Sequence, residues 1–356
     1  MKIINNKYYC DFVLILYILI LLIIKLLLIS NNSSKYLYKS IISIFISLSV
    51  MFIFSKINYR FYEKVSYIFY IISLILIILN IFIGKNCKGS YRWINLYFFN
   101  FQVSEIFKIS IPMLISSISY RNKDINSIKL ILLSIFIIFL PSLIILFQPN
   151  LGTSILIILS GFFTLFFSGI NFINILFINF ILFIFILIYY NFFIKDYQKN
   201  RILTLLNNKN KLNYHINQSK IAIGSGGIFG KGLFNGTQSR LNFLPESHTD
   251  FIFSVLAEEF GLFGVIILLS IYLLIIIKCL KLALNSNNIF NKVLISSFIS
   301  SIFFSIFINI GMVIGILPIV GIPLPIISYG GSSLFITLIK IGIILSIKNN
   351  NENLYF

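Results

Sequence analysis

The sequence predicts an all-α, polytopic integral membrane protein with about ten transmembrane helices and one long extracytoplasmic loop. Three observations predict it. Of 356 residues, 58% are hydrophobic and 11% charged, under half the charged share of an ordinary soluble domain, so water cannot be the solvent for most of this surface. The apolar residues fall in runs of about 20, the length a helix needs to cross roughly 30 Å of hydrocarbon. The Lys and Arg residues sit in short clusters between those runs.

The runs lie near 11–29, 38–55, 65–84, 104–119, 128–147, 151–169, 171–193, 251–277, 293–317 and 327–347. Each reads as a helix, because a helix satisfies its own backbone hydrogen bonds in lipid. The first is a retained span: its stretch from Phe12 to Ile29 is too long for a signal-peptide core and no small-residue cleavage site follows. The basic cluster Lys56, Arg60 and Lys64 separates the second run from the third, and Ser104, Glu105 and Lys108 open the fourth. Tight joins at Pro149-Asn150 and Gly169-Ile170 make the fifth to seventh a compact hairpin series.

Segment 194–250 is the one long hydrophilic stretch, and loops of that length are uncommon unless functional or disordered. Its Asn- and Lys-rich first half is compatible with disorder; its second half is rich in glycine. The eighth run begins at Phe251, directly after Asp250, and Pro318, Gly321, Pro323 and Pro325 break the chain between the last two. Residues 1–351 form a single membrane domain, and 352–356 resemble a protease-site remnant of recombinant expression.

With the N-terminus inside, the inner segments carry Lys2, Lys7, Lys56, Arg60, Lys64, Arg121, Lys123, Lys129, Lys278, Lys281, Lys292 and Lys348. The short outer loops carry Lys35, Lys39, Lys85, Lys88 and Arg92. This is the bias of cytoplasmic loops, and it places both termini in the cytoplasm. Segments 85–103, 148–152, 194–250 and 318–328, which hold the unusual chemistry, then share the outer face. No ATP is available there, which disfavours a nucleotide-driven enzyme.

The net charge of +18, from 28 basic and 10 acidic residues, does not indicate nucleic acid, because the basic residues form no stripe. Lysines facing anionic lipid headgroups account for it. Much of the charge accompanies a high content of Ile, Lys, Asn, Phe and Tyr, as AT-rich codons would produce. Cys10, Cys87 and Cys279 are far apart and have no metal-ligand or disulfide-framework spacing.

The cluster from Gly224 to Gly232 fails both nucleotide fingerprints, since Ser225, Gly232 and Phe229 stand where those patterns need other residues. It reads as a flexible turn or as a backbone nest for phosphate. Asn235-Gly236-Thr237 matches a glycosylation sequon, but the Asn-Gly pair favours a turn. Asp250 at the mouth of the eighth run is a helix cap or a functional carboxylate. Glu246 lies just before it. Glu258 and Glu259 lie inside an apolar run, where charge demands a polar cavity or a cationic partner. Glu105 and Lys108 share a helix face and can pair. Proline-broken backbone before Ser328-Tyr329-Gly330-Gly331-Ser332-Ser333 is tolerated at membrane depth only against protein or a wet cavity.

Several of these segments resemble one family. Gly226 to Gly232, Asn235 to Ser239, Asn242 to Glu246 and His248 to Phe253 closely resemble the SEDS family (shape, elongation, division and sporulation). Gly321-Ile322-Pro323-Leu324-Pro325 with Ser328 to Ser333, Arg92-Trp93-Ile94 with Ser104-Glu105, and Gln148-Pro149 with Leu151-Gly152-Thr153 add to the likeness, which covers about 84–348. The stretch from Lys231 to Glu246 and the Gly321–Pro325 segment are most similar to the rod-shape-determining, elongation branch. The chain departs from the family pattern at Val103, Phe107, Asn150 and Ser247.

The resemblance implies a peptidoglycan glycosyltransferase of the bacterial cytoplasmic membrane that polymerises lipid II during elongation, with Asp250 catalytic. It implies substrate-binding roles for Arg92, Trp93, Lys231, Arg240, Glu246, His248, Ser332 and Ser333, and a structural or partner-coupling role for Glu105 and Lys108. A class B penicillin-binding protein is the implied partner. A divalent cation, Mg or Mn, is a family expectation for which no ligand cluster is visible. The diphosphate-lipid is a good leaving group, so one base suffices where glycosidases need two carboxylates, contributing about 10²–10⁴-fold. Cations must meet the growing diphosphate charge, with Lys231, Arg240 and Arg92 the candidates. Two other functions suit the same span count: a lipid II flippase or transporter, with Glu258 and Glu259 as a relay, and a non-catalytic scaffold for a transpeptidase.

Overall fold

The computed structural model describes residues 11–30, 34–87, 90–96, 99–122, 125–189, 191, 199, 212–241, 243–244 and 246–352. Lys2, Lys7, Cys10, Lys88, Lys123, Asn242, Pro245, 353–356 and most of the Asn- and Lys-rich stretch 192–211 lie outside the described residues.

Each of the ten apolar runs is a helix. In chain order these are α1 (Phe12–Ser30), α2 (Ser34–Lys56), α3 (Tyr59–Ile83), α4 (Phe107–Arg121), α5 (Ile128–Phe147), α6 (Leu151–Phe167) and α7 (Phe172–Ile188). Two shorter helices follow, α8 (Leu212–Gly226) and α9 (Thr237–Arg240), and then α10 (Ile252–Leu284), α11 (Ile289–Ile314) and α12 (Gly331–Glu352). Among the described residues, seven helices are long and apolar enough to cross a membrane: α1, α2, α3, α5, α10, α11 and α12. The apolar α6 and α7 have 17 residues each, about 26 Å at 1.5 Å per residue. Helix α4 has 15 residues because the start of its run is a 3₁₀ turn, Val103–Ile106.

The all-α bundle carries a small sheet. Between α3 and α4, strands β1 (Lys85–Cys87), β2 (Ser90–Leu96) and β3 (Phe99–Gln102) form an antiparallel sheet in the order β1-β2-β3. Trp93 is opposite Gln102 and Ile94 opposite Phe101. Aromatic and β-branched residues suit such a pleated, half-buried surface. The long segment is likewise not simple loop, since α8 packs along α10 and α11.

Among the described residues two large apolar clusters, with a minor third at Leu156, Ile308 and Ile322, build the interior. The larger joins α1, α2, α10, α11 and α12, and the smaller joins α3, α4, α5 and α6. Large side chains such as Phe45, Phe82, Ile173 and Phe263 point outward, an apolar surface only lipid can cover. Helix α10 is broken at Gly261 (φ 64°, ψ −162°). Its 33 residues would extend about 50 Å if straight, more than the hydrocarbon is thick. Residues 252–259 are buried in protein, and beyond the break Leu262, Phe263 and Ile266 are exposed. At the opposite end of the bundle, Asp11 pairs with Lys278 of α10 and Lys348 of α12, each at 3.1 Å.

Candidate active site

The loops with unusual sequence converge at one end of the bundle. Arg92 of β2 donates from Nε to the Gln148 carbonyl at 2.8 Å and from Nη2 to the Pro149 carbonyl, which fixes the turn between α5 and α6. A Cβ on Gly152, just beyond that turn, would collide with the Val320 carbonyl, so α6 starts directly against the segment between α11 and α12. On that segment Gly321 (φ +69°) faces Asp250, since a Cβ there would lie 3.5 Å from Asp250 Oδ2.

Asp250 is the last residue but one of a turn, Glu246–Phe251, that leads into α10. Three consecutive carbonyls of this turn accept bonds from other parts of the chain. His248 O accepts from the Tyr329 N–H at 2.8 Å, Thr249 O from the Ser328 hydroxyl at 2.7 Å, and Asp250 O from Asn309 Nδ2 at 2.9 Å. The Asp250 side chain stays half-buried. The N-cap of α10 is Phe251, whose side chain makes no capping bond. Glu246 (φ +55°) and Ile326 (φ +69°) occupy the left-handed region on either side of this junction. Such strain costs on the order of 1–3 kcal/mol per residue and concentrates at functional sites.

His248 stacks on Tyr36 of α2, with ring centroids 4.6 Å apart, and Tyr329 meets both rings edge-on at 5.1 and 5.6 Å. Burial lowers the His248 pKa below its ordinary value, and the Glu246 charge opposes this in part. Burial thus favours the neutral imidazole.

The glycine cluster forms a backbone clasp on the kink of α10. Lys231 N and Gly232 N donate to the carbonyls of Glu258 and Glu259, both at 3.0 Å, while Leu262 N and Phe263 N donate to Gly227 O and Ile228 O at 2.9 and 3.1 Å. Side chains at Gly226, Gly230 or Gly261 would collide with the opposing backbone. Glycine is needed here for close approach, and the N–H groups of Lys231 and Gly232 are spent on carbonyls rather than arranged as a phosphate nest. Glu258, fully buried, completes the clasp. Its Oε1 accepts from Lys231 Nζ at 2.7 Å, Thr237 N at 2.8 Å, Thr237 Oγ1 at 3.0 Å and Gln238 N at 3.2 Å. The buried charge is thus met by a cation and by the start of α9, which suits a structural anchor better than a relay.

The remaining candidate residues divide by position. Glu246 and His248 share the Asp250 turn, with Glu246 exposed. Ser332 is buried and Ser333 half-buried in the first turn of α12, just past Ser328 and Tyr329. Trp93 is half-buried beside Arg92 on β2. Lys231 belongs to the Glu258 clasp, and Arg240 is exposed at the end of α9. Glu105 and Lys108 pair at 2.6 Å, both buried. Lys340 of α12, also buried, donates to Ser301 Oγ at 2.7 Å. Among the described residues no three His, Cys, Asp or Glu side chains gather into a metal site. Sequence reasoning missed Asn309 and Tyr36. An amide inside the apolar run 293–317 was a usable signal for Asn309; nothing marked Tyr36.

A sequence profile of the FtsW, RodA and SpoVE family, described as cell cycle protein, matches residues 7–353. The chain is 41% identical over 319 residues to the peptidoglycan glycosyltransferase MrdB of Escherichia coli K12, covering 89% of this chain and 86% of that one. It superposes on a crystal structure of the rod shape determining protein RodA of Thermus thermophilus with TM-score 0.74 at 25% identity, covering 97% and 98% of the two chains. It also superposes on a chain from a peptidoglycan synthase complex that coordinates polymerization and crosslinking, with TM-score 0.83 at 24% identity and 96% and 98% coverage.

Proposed function

This chain belongs to the FtsW, RodA and SpoVE family of cell cycle proteins, and from that premise we propose that Asp250 is the base with which it extends glycan strands from lipid II during elongation. The protein is a multi-pass membrane peptidoglycan glycosyltransferase. The observation that carries the residue assignment is a half-buried carboxylate on a turn tethered at three carbonyls, at the end of the bundle where the unusual loops meet.

The acceptor sugar hydroxyl gives its proton to the Asp250 carboxylate as its oxygen bonds to the anomeric carbon. The bond from that carbon to the diphosphate oxygen breaks, and the lipid diphosphate departs with the electron pair. Arg240 and Lys231 supply positive charge at the rim for the departing anion; Lys231 does so from within its pair with Glu258. Arg92 acts chiefly by holding the turn between α5 and α6. A divalent cation, Mg or Mn, would travel with the diphosphate, as Mg²⁺ commonly binds through phosphates and one or two carboxylates.

A lipid-linked substrate also needs an apolar berth. A cavity of about 350 Å³ lies among α2, α3, α4 and α12, lined by Phe54, Phe61, Phe101, Met113, Phe335 and Ile339 among other apolar side chains. Its apolar lining suits a polyprenyl chain. The working end faces away from the cytoplasm, with both termini on the cytoplasmic side of the membrane. A class B penicillin-binding protein cross-links the emerging strand.

Purified protein in detergent or proteoliposomes, given lipid II with and without that transpeptidase, tests the reading. Glycan strands are expected. Translocation of lipid II with no polymer formed would replace it with a flippase.

A further inference from the structure

We infer that Asn309 is the positioning residue that holds Asp250 in register with the Gly321 segment, with Ser328 as its second fastening. This rests on the reading of Asp250 as the base. Asn309 lies in α11 and is fully buried. Its Nδ2 donates to two carbonyls, Asp250 O at 2.9 Å and Ile322 O at 2.8 Å. One amide group therefore ties the residue bearing the carboxylate to the residue after Gly321, the glycine that faces that carboxylate. Both protons of the amide are used, and they join segments that are 72 residues apart in sequence, from Asp250 to Ile322.

Ser328 repeats the device. Its hydroxyl donates to Thr249 O at 2.7 Å and accepts from Leu324 N at 2.8 Å. Asn309 and Ser328 thus cross-brace the same two segments through adjacent carbonyls, and the Tyr329 N–H adds the third bond at His248 O. The brace grips the backbone and leaves the carboxylate half-exposed. Asn309 Oδ1 is buried with no hydrogen-bond partner among the described residues. An orphaned buried acceptor is unfavourable, so the amide is a poor choice for packing alone; its two donors account for its presence. The left-handed backbone at Glu246 and Ile326 is strain that such a brace can hold in place.

The test compares Asn309→Ala, Ser328→Ala and Asp250→Asn with wild type, using lipid II polymerisation at saturating substrate across a pH series. A misplacement near 1 Å costs about 10²-fold. The expected result is a kcat loss of about 10²-fold for Asn309→Ala and roughly tenfold for Ser328→Ala, with KM nearly unchanged and the acid limb of the kcat profile shifted. A loss of folded enzyme would scale that profile without moving it. Should Asn309→Ala fail to insert, Ser328→Ala carries the test, since it removes only a hydroxyl. Wild-type kcat in either alanine variant, or a scaled but unshifted profile, overturns the inference while Asp250→Asn is inactive. An active Asp250→Asn variant would instead remove the base assignment.

Discussion

Asp250 and Glu258 stand on consecutive stretches of chain, yet the protein treats their carboxylates in opposite ways. Glu258 is fully buried, and one of its oxygens receives a lysine ammonium, a hydroxyl and two backbone N–H groups. Asp250 is gripped through its main chain, and its side chain stays half-buried beside a glycine. A carboxylate that is to accept a proton from substrate must stay within reach of that substrate. A carboxylate that anchors a loop is best saturated. The glycine-rich loop supplies the anchor's partners, and the proline-broken segment before α12 supplies the grip on the base.

Three experiments can break or sharpen this contrast. The largest effect on stability is expected for Glu258→Ala. It strands Lys231 and the start of α9, and removing one partner of a buried pair costs about 3–5 kcal/mol. Thermal unfolding of the detergent-purified protein should show a clear fall in Tm, with any remaining folded enzyme still able to polymerise. An unchanged Tm with lost chemistry would reverse the roles of the two acids. Gly230→Ala should have a smaller effect of the same kind. It sets a methyl against the Glu259 carbonyl at φ +79°, and strain of roughly 1–3 kcal/mol is expected; wild-type stability would show that the clasp gives way easily.

The smallest effect concerns His248. Burial, which the Glu246 charge opposes, leaves its pKa below the ordinary histidine value of 6.5, so the unfolded chain takes up a proton that the folded chain resists. The stability it contributes is complete above 6.5 and is lost as pH falls from there through the lower folded value. Tm measured across that window should fall more for wild type than for His248→Gln, and equal slopes would remove His248 as the cause.

Much of this was legible in the sequence. Apolar runs located every long helix, and α5 (Ile128–Phe147) matches its run to the residue because Ser127 and Gln148 end it sharply. Helix α10 was read as ending at 277 but continues to Leu284, since Lys278 and Lys281 looked like loop. Cations suit the last turns of a helix, and Lys278 also has Asp11 as a partner. The sheet at 85–102 was missed because its strands are short and its register depends on pairing, not on periodicity. The buried glutamates were read as needing a polar cavity or a cation, but Lys231 is distant in sequence and only the fold shows that it pairs with Glu258. Glu105 and Lys108, three apart on one face, needed no fold to be matched. Asn309 was passed over because a single amide in an apolar helix carries no motif; its meaning lies in the two carbonyls it meets.

The most direct measurement is the rate at which purified Asp250→Asn protein polymerises lipid II, set against wild type with insertion and Tm matched. The substitution keeps the shape and the backbone grip while removing the base. The account predicts a loss of about 10²-fold or more with an unchanged Tm. Polymerisation near the wild-type rate would contradict it.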